Sequence, residues 1–461
     1  MKRRQFIKYT SLGVASFGIA ACTQGNLDVF RPQGTLSNPD KAFGPLEKTN
    51  LTLGFMATTD AAPLIIAQEK GFFERYGLIV TLKRQPSWEA IENDLLEWRL
   101  DAAQTPFTLP MEVQLGKKQA PLIALMNLNL NGSAITITQK AWKKGVRPSI
   151  DYNNFSDFER GFRQYIRNHN QSVRWGIDSP VSMDAYLLRY WLSAMGIDPD
   201  REIELLEFPA AQLNYKLQAG MLEGYIASAP WTQTALSEEA GFISYISRDI
   251  WQGHPNKILA AMDGWVRKNP ATARALMAAL LEACQYCDRQ GRAFSDRHRS
   301  QTEIPELLAQ PQYLNLDSSL IKSTLGETYL YSNEESTKTV VEIPDFIIFN
   351  YQDTPYLQTP DHANYPWRSH AIWLLTQMIR WNKNDLKTYP KDADKLLDKI
   401  YPISLYEEVA KTLNIPIPND TLKTEKATAF IDGRSFDPSE PVAYLNQFSI
   451  RASRPQIVSF V

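Results

Sequence analysis

The chain has 461 residues, 44% of them hydrophobic and 22% charged, with a formal net charge of −2 at pH 7. That length calls for two or more core-bearing lobes, and the composition is that of a globular protein rather than a disordered or membrane-embedded one. Near-neutrality without a long basic run removes the electrostatic case for a nucleic-acid partner.

Residues 1–22 read as a targeting segment and stand apart from the fold. Lys2-Arg3-Arg4-Gln5-Phe6-Ile7-Lys8 has the paired arginines and following apolar residue of a twin-arginine export signal. The apolar run at 11–21 is too short to span a bilayer. Ile19-Ala20-Ala21-Cys22 has the form of a lipobox, so Cys22 is expected to be acylated. The body would then be tethered on the periplasmic side of the cytoplasmic (inner) membrane by a spacer, 23–50, rich in Gly, Pro and Asn.

The body is organised around 51–88. Leu51-Thr52-Leu53-Gly54-Phe55 alternates as a strand, Thr58-Thr59-Asp60 is a polar turn, a helical pattern starts at Ala61, and Leu78-Ile79-Val80-Thr81-Leu82 completes a βαβ unit. The loop opening that helix suits an anion, and Thr58-Thr59-Asp60 serves equally as an N-cap cluster. A charged helix follows at 90–100, then strands at 121–126 and 134–138. Asn131-Gly132 between them marks one crossing between lobes.

Beyond it, helices at 155–168, 183–195 and 211–220 alternate with strands at 173–176, 202–208 and 224–227, an α/β pattern with mostly parallel pairing. Past His254 the chain returns to the first lobe and helices dominate up to Trp381, while the Pro-rich C-terminal stretch wraps the outside. The expected division is 51–134 for the first part of lobe 1, 135–252 for lobe 2, and 253–461 for the rest of lobe 1 with a C-terminal extension. Cys284 and Cys287 form a C-x-x-C within an Ala/Leu-rich helical run, 271–289. With no second pair for a zinc tetrad and no helix-N-terminal position to activate a thiol, both are expected to be structural.

Several stretches carry a resemblance in order: LGFMATTDAAPLIIAQEKGFFERYGL with the tryptophan of QPSW, LNLNG (128–132), LLRYWLSAMGIDPD (187–200), APW (229–231), HPNK (254–257), WVRKNP (265–270), YPWRSHAIWLLTQMIRW (365–381) and FIDGRSFDPSEPVAYLNQF (430–448). Taken together they resemble the nitrate- and bicarbonate-binding lipoproteins of cyanobacterial ABC importers. The resemblance implies a type II-like periplasmic binding protein fold, two α/β lobes that close on a small inorganic oxyanion, and ABC permease and ATPase subunits as partners. It implies no cofactor and no enzymatic activity, in keeping with the absence of a Gly-rich phosphate loop, metal-ligand spacing or an assembled nucleophile motif.

In the resembling nitrate binders a tryptophan, a glutamine, a histidine, a proline-bearing loop and a lysine hold the anion. Carried over, these roles fall on Trp88, Ser133, Asp184, Pro209 and Lys257, with Ser133 and Asp184 departing from the glutamine and the histidine. His254 is read as structural. Two like charges about 4 Å apart cost on the order of 4 kcal/mol at an effective dielectric near 20, so Asp184 opposes an anion. Asp184 therefore points away, or pairs with Lys257 and blocks the site, or meets a ligand with a positive end as well as an anionic one. Lys257 favours nitrate or nitrite over calcium-assisted bicarbonate, because an ammonium repels calcium. A paralogue with a changed ligand, serving as sensor or regulatory partner of a transporter, is the alternative, as is a bicarbonate or sulfonate binder.

Overall fold

Two sheets carry the fold in the computed structural model, which describes residues 38–169, 173–288, 302–326, 328–333, 340–350 and 362–450. The twin-arginine stretch, Cys22 and the spacer up to residue 37 lie outside them. The strands are β1 (Asn50–Phe55), β2 (Ile79–Arg84), β3 (Ala102–Pro106), β4 (Leu122–Asn131), β5 (Ser133–Thr138), β6 (Val173–Ile177), β7 (Ile203–Glu207), β8 (Gly224–Ser228), β9 (Gly241–Ile246), β10 (Pro255–Met262), β11 (Thr328–Leu330), β12 (Val340–Glu342) and β13 (Ile347–Ile348). One sheet has the order β13-β4-β10-β3-β1-β2 and the other β7-β6-β8-β5-β9, with β11 and β12 as a separate pair. Helices flank both sheets, and no helix among the described residues is long and apolar enough to cross a membrane.

The pairing is mixed where mostly parallel pairing was expected. β1 is parallel to β2 and β3, and β6 is parallel to β7 and β8. β10 runs antiparallel to β3 and β4, and β5 antiparallel to β8 and β9. The reason is topological: β5 and β10 each bring the chain into a sheet from the other one, so they run inward from the junction. The βαβ strands run outward toward it. One edge of each sheet therefore collects the carboxyl ends of parallel strands together with the starts of β5 and β10, the edge where ligands of open α/β sheets bind.

The first crossing is abrupt. β4 ends at Asn131 and β5 starts at Ser133, with Asn131 (φ 58°) and Gly132 (φ 92°) both left-handed. A Cβ at Gly132 would also come within 3.0 Å of the Ile347 side chain, so glycine answers both demands. On β4, Asn127, Asn129 and Asn131 recur with period two and are fully buried. Asn127 donates to the carbonyls of Ala363 and Tyr365, and Asn131 donates to that of Asp345 while accepting from the Gly253 amide at the second crossing. The Asn127 and Asn131 side-chain N–H groups are thus matched by backbone from distant segments.

Strands β3 and β10 are absent from the sequence reading, which had helices dominating beyond His254. Ala102-Ala103-Gln104-Thr105-Pro106 and Pro255-Asn256-Lys257-Ile258-Leu259-Ala260-Ala261-Met262 are poor in β-branched residues. Both are buried at every position in the middle of a sheet, where packing on two faces outweighs intrinsic preference. The C-terminal residues do more than wrap. The Ile431 amide donates to Ile250 O (3.0 Å), the Gln252 amide donates to Ala429 O (2.8 Å), and Phe430 stacks on Trp251, which seats them against the second crossing. Cys284 and Cys287 are buried in the helix Pro270–Cys287, and burial pushes the Cys284 thiol up, as a structural cysteine requires.

Candidate functional site

At the shared edge, Lys257 opens β10 on a bulge. The pairing with β4 slips on both sides of Lys257, and its amide donates to the Asn129 side chain at 3.1 Å. A bulge re-aims a side chain. Lys257 Nζ then lies 2.7 Å from Asn256 Oδ1, 2.8 Å from Ser228 Oγ and 3.2 Å from Asp60 Oδ2. An ammonium has three N–H donors, and each has an acceptor within reach. The Trp88 ring completes the enclosure, with Nζ 5.4 Å from its centroid.

Around Lys257 the two sheets contribute in register. Ser133 and Ser228 face each other across β5 and β8, with hydroxyl oxygens 3.3 Å apart. Asn256 donates to Ser133 Oγ at 3.0 Å, and Ser228 donates to Asp184 Oδ2 at 3.3 Å. Ser182 caps the helix Met183–Ala194 by accepting from the Ala185 amide, which puts Asp184 in its first turn. Asp178 directly follows β6 and accepts from Trp88 Nε1 at 2.6 Å. Trp88 in turn begins the helix Trp88–Leu96, capped by Ser87.

Asp60 corrects the N-cap expectation. The turn Thr59–Ala61 leads into the helix Ala62–Glu69 without a side-chain cap at either start. The Asp60 carboxylate is taken instead by Thr58, by Gln104 Nε2 at 2.6 Å and by Lys257. The anion at this helix start is the protein's own.

Three carboxylates thus face one ammonium. Burial would depress the Lys257 pKa, yet Asp60, then Asp184 and Asp178, hold it above its usual value. Burial pushes Asp184 up to about 6, against the pull of Lys257 and helped by Asp178. His254, fully buried, is driven down to about 3 and stays neutral, with Nδ1 3.2 Å from Pro255 O. That fits its structural reading.

The structure brings Trp88, Ser133, Asp184 and Lys257 into one buried cluster. Pro209 is exposed where it precedes the helix Ala210–Gln218 and is not part of that buried cluster. Asp60, Gln104, Asp178, Ser228 and Asn256 were not anticipated as site residues. Position is the signal for most of them: Asp178 and Ser228 lie at the ends of parallel strands and Asn256 at the start of β10, while Asp60 is in the turn after β1 and Gln104 is inside β3. Bonds across the cleft close it: the Thr59 amide donates to Ala229 O at 2.8 Å, and Trp231 Nε1 donates to Ala57 O at 2.9 Å.

The NMT1-like family matches residues 44–296. The chain belongs to the NMT1-like family. Within this NMT1-like protein's kin, the nitrate import ATP-binding protein NrtC of Synechocystis is 34% identical over 90% of this chain and 58% of that protein. The bicarbonate transport ATP-binding protein CmpC of the same organism is 34% identical over 87% of this chain and 55% of that protein. The chain thus spans little more than half the length of these curated relatives. The crystal structure of the periplasmic nitrate-binding protein NrtA from Synechocystis is similar with a TM-score of 0.76 at 26% identity, covering 88% of this chain and 100% of that one. The fold of this NMT1-like chain is therefore the periplasmic binding protein fold of that nitrate-binding protein.

Proposed function

We propose that this chain is the solute-binding component of an ABC importer and holds one small solute between its two lobes at Lys257. The observation that carries the reading is convergence: buried polar side chains from both sheets meet at the one edge where the crossings and the parallel strand ends coincide. Lobe 1 is 51–134 with 253–461, and lobe 2 is 135–252. Acylated Cys22, exposed after a twin-arginine signal, holds the protein on the periplasmic side of the inner membrane, where it meets permease and ATPase subunits.

For the ligand, kinship with nitrate and bicarbonate systems supports a small oxyanion, nitrate or nitrite ahead of bicarbonate because Lys257 disfavours calcium. Pro209 contributes through its loop. A second reading, a paralogue whose ligand has changed, is favoured by the saturation of Lys257 with internal acceptors. Crosslinking from the cleft rim in intact cells tests the transport reading. Recovery of an ABC permease subunit is expected, and its consistent absence would remove that reading. Cys22→Ala should release the protein from membranes, and a processed Cys22→Ala protein that still fractionates with lipid would sink the anchor.

A further inference from the structure

Donors from three separate elements converge on the Asp60 carboxylate. Its Oδ1 accepts from the Thr58 hydroxyl and from Gln104 Nε2 at 2.6 Å, and its Oδ2 lies 3.2 Å from Lys257 Nζ. The Met56 amide donates to Gln104 Oε1 at 3.0 Å, which turns the Gln104 NH2 toward Asp60. All of these side chains are buried. A hydroxyl, an amide and an ammonium, supplied by the turn after β1, by β3 and by β10, make a donor set suited to a planar oxyanion. Carboxylate, nitrate and bicarbonate share that planar head, and here a side chain of the protein provides it. Asp60 does not cap the helix it opens, since neither Thr59–Ala61 nor Ala62–Glu69 has a side-chain cap. The carboxylate is turned to the ammonium instead.

We infer that Asp60 is a tethered occupant of the anion position at Lys257, and that a planar oxyanion from solution binds there only by displacing the Asp60 carboxylate from the ammonium. The inference rests on the solute-binding reading and adds how that site is held shut. A carboxylate attached to the chain competes at the effective concentration of an intramolecular group, on the order of millimolar, which raises the free-anion concentration needed to fill the site. The other acceptors of Lys257 Nζ, Asn256 Oδ1 and Ser228 Oγ, are neutral and stay with it while one anion replaces the other.

Chemical rescue is the test. Asp60→Gly removes the methylene and the carboxylate, a group the size of nitrate or acetate. Thermal unfolding of the whole protein is followed against sodium nitrate, sodium acetate and sodium chloride at constant ionic strength. Nitrate or acetate should raise the melting temperature of Asp60→Gly saturably and beyond chloride, which is monatomic and cannot bridge the three donors. Wild type should need about tenfold more anion or beyond for the same rise, the worth of one charge-assisted contact. Adding Lys257→Met to Asp60→Gly should abolish the rescue. A folded Asp60→Gly protein that neither nitrate nor acetate stabilises beyond chloride overturns the inference, and so does a rescue that survives Lys257→Met. If Asp60→Gly does not fold even in these salts, Asp60→Asn decides, because it keeps the shape and drops the charge. Calorimetry should then show nitrate bound more tightly than by wild type, again by about that factor, and no gain overturns the inference. Wild type binding nitrate as tightly as the variants overturns the inference and leaves the solute-binding reading standing, which the permease crosslink judges independently.

Discussion

Lys257 Nζ and Asp60 Oδ2 lie 3.2 Å apart with both side chains 1% exposed, one from the start of β10 and the other from the turn after β1. Removing one partner of such a buried pair costs about 3 to 5 kcal/mol, whereas removing both is far milder. Lys257→Met alone should therefore destabilise the protein by that amount in urea, and Asp60→Asn combined with Lys257→Met should recover part of the loss, Asp184 and Asp178 still lacking their cation. Equal midpoints for single and double variants would mean that the pair is not what stabilises this corner.

The elevated Asp184 pKa works against stability as pH rises. With the folded value at about 6 and the unfolded one near 3.9, the native state holds the proton longer, so this group lowers stability progressively from about pH 4 to pH 6 and fully above. Asp184→Asn should raise stability at pH 7 by on the order of 1 to 3 kcal/mol and leave it nearly unchanged at pH 4. Denaturation curves at the two pH values decide it, and a gain independent of pH would refute the linkage.

Trp231 Nε1 reaches across the cleft to Ala57 O at 2.9 Å. Trp231→Phe keeps an aromatic ring, though a smaller one, and drops the donor, at a cost of about 1 kcal/mol to the closed form from the lost bond. Hydrogen exchange should quicken at the Thr59 amide, whose own bond to Ala229 O shares that closure, while the amides of β6 stay protected. Uniform exchange in the variant and the parent would show that this bond does not restrain opening.

The helix carrying Trp88 depends on Ser87, which accepts from the Ala90 amide at 3.1 Å. Ser87→Ala should cost about 1 kcal/mol in thermal unfolding, and Ser87→Asp should restore it. Failure of Asp to rescue would place the effect in packing rather than capping.

The crossing was legible from a local signal, while the candidate site residues were legible only through the resemblance. The Asn131-Gly132 turn marked a crossing, whereas Trp88, Ser133 and Asp184 came from the resemblance and not from local pattern. Lys257 was found through its His-Pro-Asn setting and the resemblance. Asp60 and Asp178 were not found, since local pattern says nothing about which carboxylate faces a lysine nearly two hundred residues away in the first case, or an indole from the other lobe in the second. Gln104 and Asn256 were hidden with β3 and β10, strands made of small and polar residues that only burial on both faces turns into strands. Mixed pairing was illegible for a related reason: strand direction follows from the order of the crossings, which has no local pattern.

The cleft bonds of Thr59 and Trp231 have a kinetic side. Under the proposed function, a solute held behind them leaves only when both break, which slows its dissociation. On that same reading, such a protein would exchange its solute slowly in free solution, and delivery would call for a transport partner that prises the two lobes apart.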